Sequence, residues 1–243
     1  YNGYKAYGAD GAQLSVENSA KVLSFVDKVE MFGGAKTMSF DEGITSGIIE
    51  YIGDELVEKY LETVKTRSVE KVTADLNVIY TPLNGTGNKP VREILKRIGI
   101  KNVTVVPEQE FPDGNFPTAP FPNPEIRQAF ECAINLSKSV EADLLLATDP
   151  DCDRVGIAVK NGDDFTLMSG NEVGACLLDY ILSRRKANGT LPENPVAVKT
   201  IVSTPLADKI AAKYGCKLIN VLTGFKYIGE QAGILEKKGE QER

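Results

Sequence analysis

The chain has 243 residues, 42% of them hydrophobic, which is enough for one large domain or two smaller ones. Its 28 basic and 34 acidic residues give a net charge of −6 without a basic stripe, so nucleic acid is not an expected partner. No apolar run reaches the ~18 residues of a spanning helix, so no membrane partner is expected either. The four cysteines are widely spaced without a CxxC pair, which predicts reduced thiols and a cytoplasmic location.

Both ends of the sequence indicate a piece of a longer protein. The chain begins at Tyr1 without an initiator methionine and stops within a charged segment, GEQER at 239–243. We interpret residues 1–50 as the tail of a preceding domain, with a helix near Val16–Glu30 whose apolar side chains need a partner layer. Where that layer is absent, exposed apolar surface favours self-association of the chain.

Strands and helices alternate through residues 51–164. The pattern predicts strand, helix, strand, helix, strand and then a hairpin turned by Asn161-Gly162. The predicted bounds are 76–80, 90–98, 103–106, 124–139, 144–147 and, for the hairpin, 155–160 with 165–168.

The same alternation continues through residues 165–243, as a domain incomplete at its carboxyl end. The expected elements are a helix, a strand, a helix and a strand, at 169–189, 196–199, 205–214 and 217–222. Such alternation predicts an α/β fold of two consecutive α/β/α layered domains, with mixed, mostly parallel sheets, preceded by the tail of a third.

Three aspartates stand at alternate positions directly after a predicted strand, in the sequence DPDCDR: Asp149, Asp151 and Asp153. Open α/β sheets bind ligands just beyond the carboxyl ends of their strands. Carboxylate oxygens select Mg²⁺, Mn²⁺ or Ca²⁺, and two ligands of one Mg²⁺ lie at most ~4.2 Å apart, so the loop must curl. Arg154 can offset the remaining negative charge and leave room for a phosphate.

The acidic sequence has two alternative interpretations besides this metal site. A solvated acidic loop without a metal stays open on spacing alone. A calcium loop of the EF-hand type also begins D-x-D-x-D, but it needs glycine sixth and glutamate twelfth, where this chain has Arg154 and Lys160.

Two further loops follow predicted strands and contain glycine. The first, LNGTGNK at 83–89, matches neither the P-loop nor the dinucleotide fingerprint, so a tight structural turn is favoured over anion binding. The second, TGFK at 223–226, offers a hydroxyl, a flexible backbone, a ring and a cation.

Five motifs together resemble the α-D-phosphohexomutases, the phosphoglucomutase and phosphomannomutase family. They are YNGYK, TPLNGTG, DPDCDR, VK and TGFK, at 1–5, 81–87, 149–154, 198–199 and 223–226. The resemblance covers essentially the whole chain, is closest to bacterial phosphoglucomutases, and has DPDCDR as its most specific motif.

The resemblance implies a four-domain enzyme that moves phosphate between the 1- and 6-hydroxyls of a hexose, with glucose favoured, through a phosphoserine and Mg²⁺. This chain would hold the end of domain 1, all of domain 2 and most of domain 3. The catalytic serine would precede Tyr1 and the sugar-recognition loop would follow Arg243, so the fragment alone is expected to be inactive. Its partners would be a hexose phosphate and the missing domains of the same chain.

The resemblance also implies a role for each matching residue. Asp149, Asp151 and Asp153 would hold Mg²⁺, and Arg154 would pair with phosphate. Lys5 would contact substrate and take part in proton transfer. The substrate-binding residues would be Lys199, Thr223, Gly224 and Phe225, although Phe225 replaces a tryptophan or histidine of other branches. The alternative function is a non-catalytic, metal-dependent module that binds a sugar phosphate or another anion.

Overall fold

The computed structural model describes residues 5–71 and 75–239, which form an α/β protein. Most of the YNGYK motif (1–4) and the last four residues (240–243) lie outside the described residues. Contacts divide the chain into two compact units. One unit is Glu55–Ala187, and the other combines the residues before it with those after it.

The described residues contain seven strands and eight α-helices. The strands are β1 (Asn77–Thr81), β2 (Asn102–Val105), β3 (Leu144–Thr148), β4 (Val155–Asn161), β5 (Asp164–Met168), β6 (Val196–Thr200) and β7 (Lys217–Val221). The helices are α1 (Val16–Val26), α2 (Phe40–Thr45), α3 (Asp54–Lys65), α4 (Asn88–Arg97), α5 (Glu131–Leu136), α6 (Gly170–Ala187), α7 (Leu206–Lys213) and α8 (Phe225–Lys238). Two short 3₁₀ helices are Pro107–Gln109 and Arg127–Phe130.

The central unit is built on a five-stranded mixed sheet. Its strand order is β2-β1-β3-β4-β5, with β2, β1 and β3 parallel and the hairpin β4–β5 antiparallel. Thr81 at the end of β1 is in register with Ala147 near the end of β3. The loops that leave these two strands, 82–87 and 149–154, therefore emerge side by side from one edge of the sheet.

A single apolar core holds this sheet in place. Its largest members are nearly inaccessible to solvent, and a fully buried side chain of this size contributes roughly 1.5–3 kcal/mol. They include Ile79, Leu83, Val106, Phe130 and Leu145. Since both β1 and β3 contribute to this core, the edge from which the two loops emerge is fixed.

The expected α/β class and the five strands expected along this part of the chain are confirmed. The predicted helix at 124–139 is wrong in length, because a 3₁₀ turn occupies Arg127–Phe130 and α5 spans only Glu131–Leu136. Helices α2, α3 and α8 were not predicted. Two had a visible signal: Ser39 and Glu42 form a capping box at α2, and α3 repeats apolar residues at helical spacing, at 56, 57, 60, 61 and 64.

The other unit contains a small parallel sheet and the amino-terminal helices. Strands β6 and β7 pair in parallel, with α7 between them in sequence and α8 following β7. The predicted helix near Val16–Glu30 exists but ends at Val26, and no residue of α1 is buried. Exposed apolar side chains there include Leu23, Phe25 and Phe32. Self-association of the chain stays a prediction.

The expected domain boundary near residue 164 falls at the turn of the β4–β5 hairpin. Strand β5 pairs with β4 from Asn161↔Asp164 to Ile157↔Met168, so a cut at this turn would separate two paired strands. The division into 1–50, 51–164 and 165–243 stays a prediction. In the described part of the chain, no helix combines the length and apolar character that crossing a bilayer requires.

Candidate functional site

The DPDCDR loop curls into a tight turn between β3 and β4. The N–H of Cys152 donates to the carbonyl oxygen of Asp149 at 2.9 Å, and Cys152 adopts a left-handed backbone with φ of +61°. This turn folds the alternating aspartates back toward one another. One carboxylate oxygen from each of Asp149, Asp151 and Asp153 lies within 4.8 Å of the others.

Asp149 is the buried member of this cluster. Its side chain is 5% exposed, whereas Asp151 and Asp153 are exposed. Burial raises the pKa of Asp149 to about 6, and a hydrogen bond and the charge of Asp151 act in the same direction. The backbone N–H of Arg154, which donates to Asp149 Oδ1 at 2.8 Å, acts against this rise. The surroundings of the cluster therefore do not fully stabilise three ionised carboxylates.

These three residues fit a hard divalent cation. The donors are carboxylate oxygens, which Mg²⁺, Mn²⁺ and Ca²⁺ prefer. Ligands of one Mg²⁺ lie within ~4.2 Å of one another, so the oxygens, all within 4.8 Å, would need to move closer by about 0.6 Å at most. A cation would also relieve the repulsion that raises the pKa of Asp149. The cluster therefore has the donor set of a site for a hard divalent cation.

Arg154 adds a cation beside the cluster. Its Nε lies 4.0 Å from Asp153 Oδ1, a long ion pair, and about half of its side chain is exposed to solvent. The guanidinium therefore stays accessible to an incoming anion. The structure brings together the three predicted metal ligands and the predicted phosphate-pairing arginine.

The loop that leaves β1 packs directly against the DPDCDR loop. Thr86 donates both its backbone N–H and its hydroxyl to the carbonyl oxygen of Pro150, at 2.9 and 3.1 Å. A Cβ added to Gly85 would come within 2.6 Å of that same oxygen. Glycine is required at position 85 because the two backbones approach so closely.

Gly87 makes the second close approach between these loops. A Cβ at this position would lie 2.7 Å from both Tyr80 Oη and Thr148 Oγ1 and 2.9 Å from Cys152 Sγ. Tyr80 and Thr148 share a buried hydrogen bond of 2.8 Å, and burial raises the pKa of the Tyr80 phenol, which stays neutral. Thr148 is thereby anchored one residue before the first aspartate.

The glycine-rich loop at 83–89 is a structural turn, as favoured from sequence. Three consecutive backbone N–H groups donate to carbonyl oxygens: those of Asn84 to Gln109, Gly85 to Pro82 and Thr86 to Pro150. The N–H of Leu83 donates to the Thr81 hydroxyl. Because these donors are already used within the protein, they do not form an anion cradle.

The predicted substrate residues of the other unit lie at one edge of its small sheet. Lys199 is near the end of β6, while Thr223 and Gly224 follow β7, which is parallel to β6. Thr223 and Phe225 are exposed, the latter by 66%. Gly224 has a φ of 135°, which only glycine adopts readily, and precedes the first turn of α8. The start of α8 has no side-chain cap, and the N–H of Tyr227 donates to the carbonyl oxygen of Gly224 at 3.1 Å.

The surroundings of Lys199 and Lys5 give less direct support to the roles predicted for them. Lys199 is largely buried, with its Nζ 3.4 Å from Asp208 Oδ2 and donating to the carbonyl oxygen of Ser203 at 3.3 Å. Contact with substrate would require Lys199 to exchange these partners. Lys5 is exposed and lies just before a short antiparallel bridge between Tyr7 and Gln13. The substrate-binding and catalytic roles of both lysines stay predictions.

Sequence reasoning missed the residues that support the metal loop. The loop at 83–89 was interpreted by itself, as a turn or an anion cradle, and its contact with Pro150 was not foreseen. The available signal was the position of both loops after parallel strands, because adjacent strands bring such loops together. Which strands are adjacent is decided by the sheet order.

The chain is an α/β protein with an acidic loop beyond a strand of one sheet and a glycine-containing loop beyond a strand of the other. Two family models match this chain: phosphoglucomutase/phosphomannomutase α/β/α domain II over residues 58–162, and domain III over residues 169–237. The chain belongs to the phosphoglucomutase/phosphomannomutase family.

Relatives of known name agree with this family. A phosphoglucomutase of Staphylococcus saprophyticus is 34% identical over 95% of this chain and 41% of its own length. A phosphoribomutase of Saccharomyces cerevisiae is 34% identical over 98% of this chain and again 41% of its own length. The chain therefore spans about two fifths of the length of these relatives.

Solved structures agree with the fold. A phosphoglucomutase/phosphomannomutase family protein from Burkholderia thailandensis superposes with a TM-score of 0.58 at 20% identity. The match covers 76% of this chain and 36% of that protein. At this identity the likeness concerns the fold alone.

Proposed function

We propose that this chain is part of a phosphohexomutase, which interconverts the 1- and 6-phosphates of a hexose, and that its DPDCDR loop binds the Mg²⁺ used in phosphoryl transfer. The observation that carries the proposal is the convergence of three carboxylates, one of them buried with a raised pKa, beside an accessible arginine. Family membership supplies the reaction class. Glucose is the proposed sugar, although relatives named for glucose and for ribose are both similar to this chain.

The metal loop would act on the phosphoryl group. Asp149, Asp151 and Asp153 would hold Mg²⁺, which when bound stabilises negative charge on the transferring group. Arg154 would bind phosphate oxygens through its planar guanidinium, whose paired N–H groups match two oxygens at once. The Asp149 carboxylate would be held in one orientation within the cluster, since its Oδ1 accepts a hydrogen bond from the N–H of Arg154.

The TGFK loop would bind the phosphate of the sugar that is not being transferred. The start of α8 carries positive partial charge and has no side-chain cap, and a phosphate is a suitable acceptor for the N–H groups of its first residues. The Thr223 hydroxyl can donate to the same phosphate, and Gly224 leaves the approach open. Phe225 can pack against the sugar but cannot donate a hydrogen bond to it.

The two lysines would serve the sugar itself. Lys5 would contact the hydroxyls and take part in proton transfer, because the chain has no histidine that could act as a base near neutral pH. Lys199 would bind the substrate after exchanging its contact with Asp208. The phosphoryl donor and acceptor would be a serine outside this sequence, and the chain by itself is proposed to be inactive.

Titration of the chain with Mg²⁺ and with Mn²⁺ by calorimetry tests the metal site. We expect one cation per chain with weak affinity, on the order of millimolar for Mg²⁺, since that ion gives up its waters reluctantly. Asp151→Asn should weaken binding at least tenfold. Asp163→Asn is the matched control, because Asp163 is an exposed aspartate in the hairpin turn.

Equal binding by all three proteins, or no binding by the wild-type chain, would refute the metal site. A turnover assay with glucose 1-phosphate tests the remainder. The isolated chain should show no activity above background, and activity would show that it contains a nucleophile of its own.

A further inference from the structure

The Pro150 carbonyl group occupies a critical position in the metal loop. Pro150 lies between Asp149 and Asp151, and its carbonyl oxygen accepts two hydrogen bonds from Thr86, a residue 64 positions earlier in the chain. A peptide group is planar, so the direction of this carbonyl also fixes the N–H and the Cα of Asp151. The contact therefore sets where the second aspartate begins.

The remaining backbone freedom of this turn is small. The proline ring fixes φ at Pro150, and the bond from the Cys152 N–H to the Asp149 carbonyl closes the turn. The ψ angle of Pro150 is the torsion that these two constraints leave most free. It is also the angle that decides the direction of the Pro150 carbonyl, which Thr86 holds.

The exposure of Thr86 separates orientation from stability. The residue is exposed, and its hydroxyl bond is a solvent-accessible one. Water can replace such a bond at low cost to folding, so it contributes little to the free energy of unfolding. A water molecule, however, is not attached to the β1 strand, so without the hydroxyl only the Thr86 N–H would hold the carbonyl, with one bond in place of two.

We propose that Thr86 is a positioning residue for the metal: its two bonds to the Pro150 carbonyl hold Asp151 in the direction that places its carboxylate beside those of Asp149 and Asp153. The inference rests on the proposed metal function of this loop. It gives the glycine-rich TPLNGTG segment a task, which is to support the metal loop, and it concerns a residue that does not itself contact the metal.

Three variants of the whole chain test this role. Thr86→Val keeps the shape and removes the hydroxyl, and Thr86→Ser keeps the hydroxyl. Thr63→Val is the matched control, because the exposed Thr63 of α3 also donates its hydroxyl to a backbone carbonyl, that of Lys59 at 2.8 Å. The measurements are Mn²⁺ affinity, by calorimetry and by electron paramagnetic resonance, and the thermal midpoint without metal.

We expect Thr86→Val to weaken Mn²⁺ binding by about two- to tenfold, the loss that one oriented hydrogen bond accounts for. Its metal-free midpoint should stay close to that of the wild-type chain. Thr86→Ser and Thr63→Val should both bind Mn²⁺ as the wild-type chain does.

Two results would overturn the positioning role alone. One is wild-type affinity in Thr86→Val, and the other is a loss in Thr86→Ser equal to that in Thr86→Val, which would assign the effect to the methyl group. If Thr86→Val does not fold, the affinity of Thr86→Ser and of Thr86→Ala decides the question in the same way. A wild-type chain that binds no Mn²⁺ would instead refute the metal site and this inference together.

Discussion

Two loops in this chain have the same kind of sequence, but one is buried and the other is exposed. Both follow a strand, contain glycine and lead into a helix: 82–87 lies between β1 and α4, and 222–224 lies between β7 and α8. In the first, Leu83, Gly85 and Gly87 are all buried. In the second, Leu222 and Thr223 are exposed, and so is Phe225 at the start of α8.

The difference arises from what lies beside each strand. Strand β1 has β2 on one side and β3 on the other, and the loop after β3 covers the loop after β1. Strand β7 pairs with β6 alone in the described residues. Gly85 is needed because another backbone approaches it, whereas Gly224 is needed for its positive φ. A glycine loop after a strand can therefore support a site or be open to a ligand.

The largest expected effect concerns the chemistry of the DPDCDR loop, against which the 82–87 loop packs. In the longer protein that contains this chain, Asp151→Asn should lower kcat by about 100-fold or more, because lost metal charge acts on the transition state. KM for glucose 1-phosphate should change little, since under the proposed function the 222–224 loop binds the substrate. Steady-state kinetics measure this effect, with Asp163→Asn as the control. Near-normal turnover of Asp151→Asn at limiting Mg²⁺ would show that the DPDCDR loop does not supply the metal used in turnover.

Gly85→Ala tests the close packing of the 82–87 loop against the DPDCDR loop. The added methyl group must displace the Pro150 backbone, and overpacking of this kind costs about 1–3 kcal/mol in the free energy of unfolding. Gly114→Ala is the control, because Gly114 is exposed and a Cβ there meets no atom within 4 Å. Urea unfolding measures both. Equal stability of the two variants would show that the 82–87 loop is as open as the 222–224 loop.

The pH dependence of stability tests the burial of Asp149. Its pKa is raised from 3.8 to about 6 in the folded chain, so the folded state binds the proton more tightly than the unfolded state. The contribution of Asp149 to stability should therefore be full below pH ~4 and should fall by up to about 3 kcal/mol as the pH rises through ~6.

Urea unfolding at several pH values without metal measures this fall. Asp149→Asn should remove it, and added Mg²⁺ should reduce it because the cation binds the ionised cluster. The same fall in Asp149→Asn as in the wild-type chain would mean that another group is responsible.

The smallest expected effect concerns the open loop. Phe225→Ala should change the free energy of unfolding by no more than about 0.5 kcal/mol, because the ring is 66% exposed. In the longer protein it should raise KM a few-fold and leave kcat unchanged, the signature of lost uniform binding. Phe111→Ala, at a phenylalanine 70% exposed, is the matched control. An unchanged KM would remove Phe225 from the substrate site.

Local patterns predicted most of the central sheet. Apolar runs located β1 and β3, and Asn161-Gly162 located the β4–β5 hairpin, because each pattern describes contacts within a few residues. The helix at 124–139 is overestimated mainly at its amino end, because residues 127–130 form a 3₁₀ turn and α5 spans only Glu131–Leu136. Helix α8 was not predicted because the TGFK motif at 223–226 was interpreted as a loop. In the structure Phe225 is already helical.

The sequence by itself determined the chemistry of the candidate site: three aspartates at alternate positions, a proline that limits the turn between them, and an arginine directly behind. Only the tertiary structure decided that Thr86 holds the Pro150 carbonyl and that Asp149 is buried with a raised pKa. Residues 64 positions apart meet because β1 and β3 are neighbours in the sheet. That adjacency depends on packing of the whole core, which no local pattern encodes.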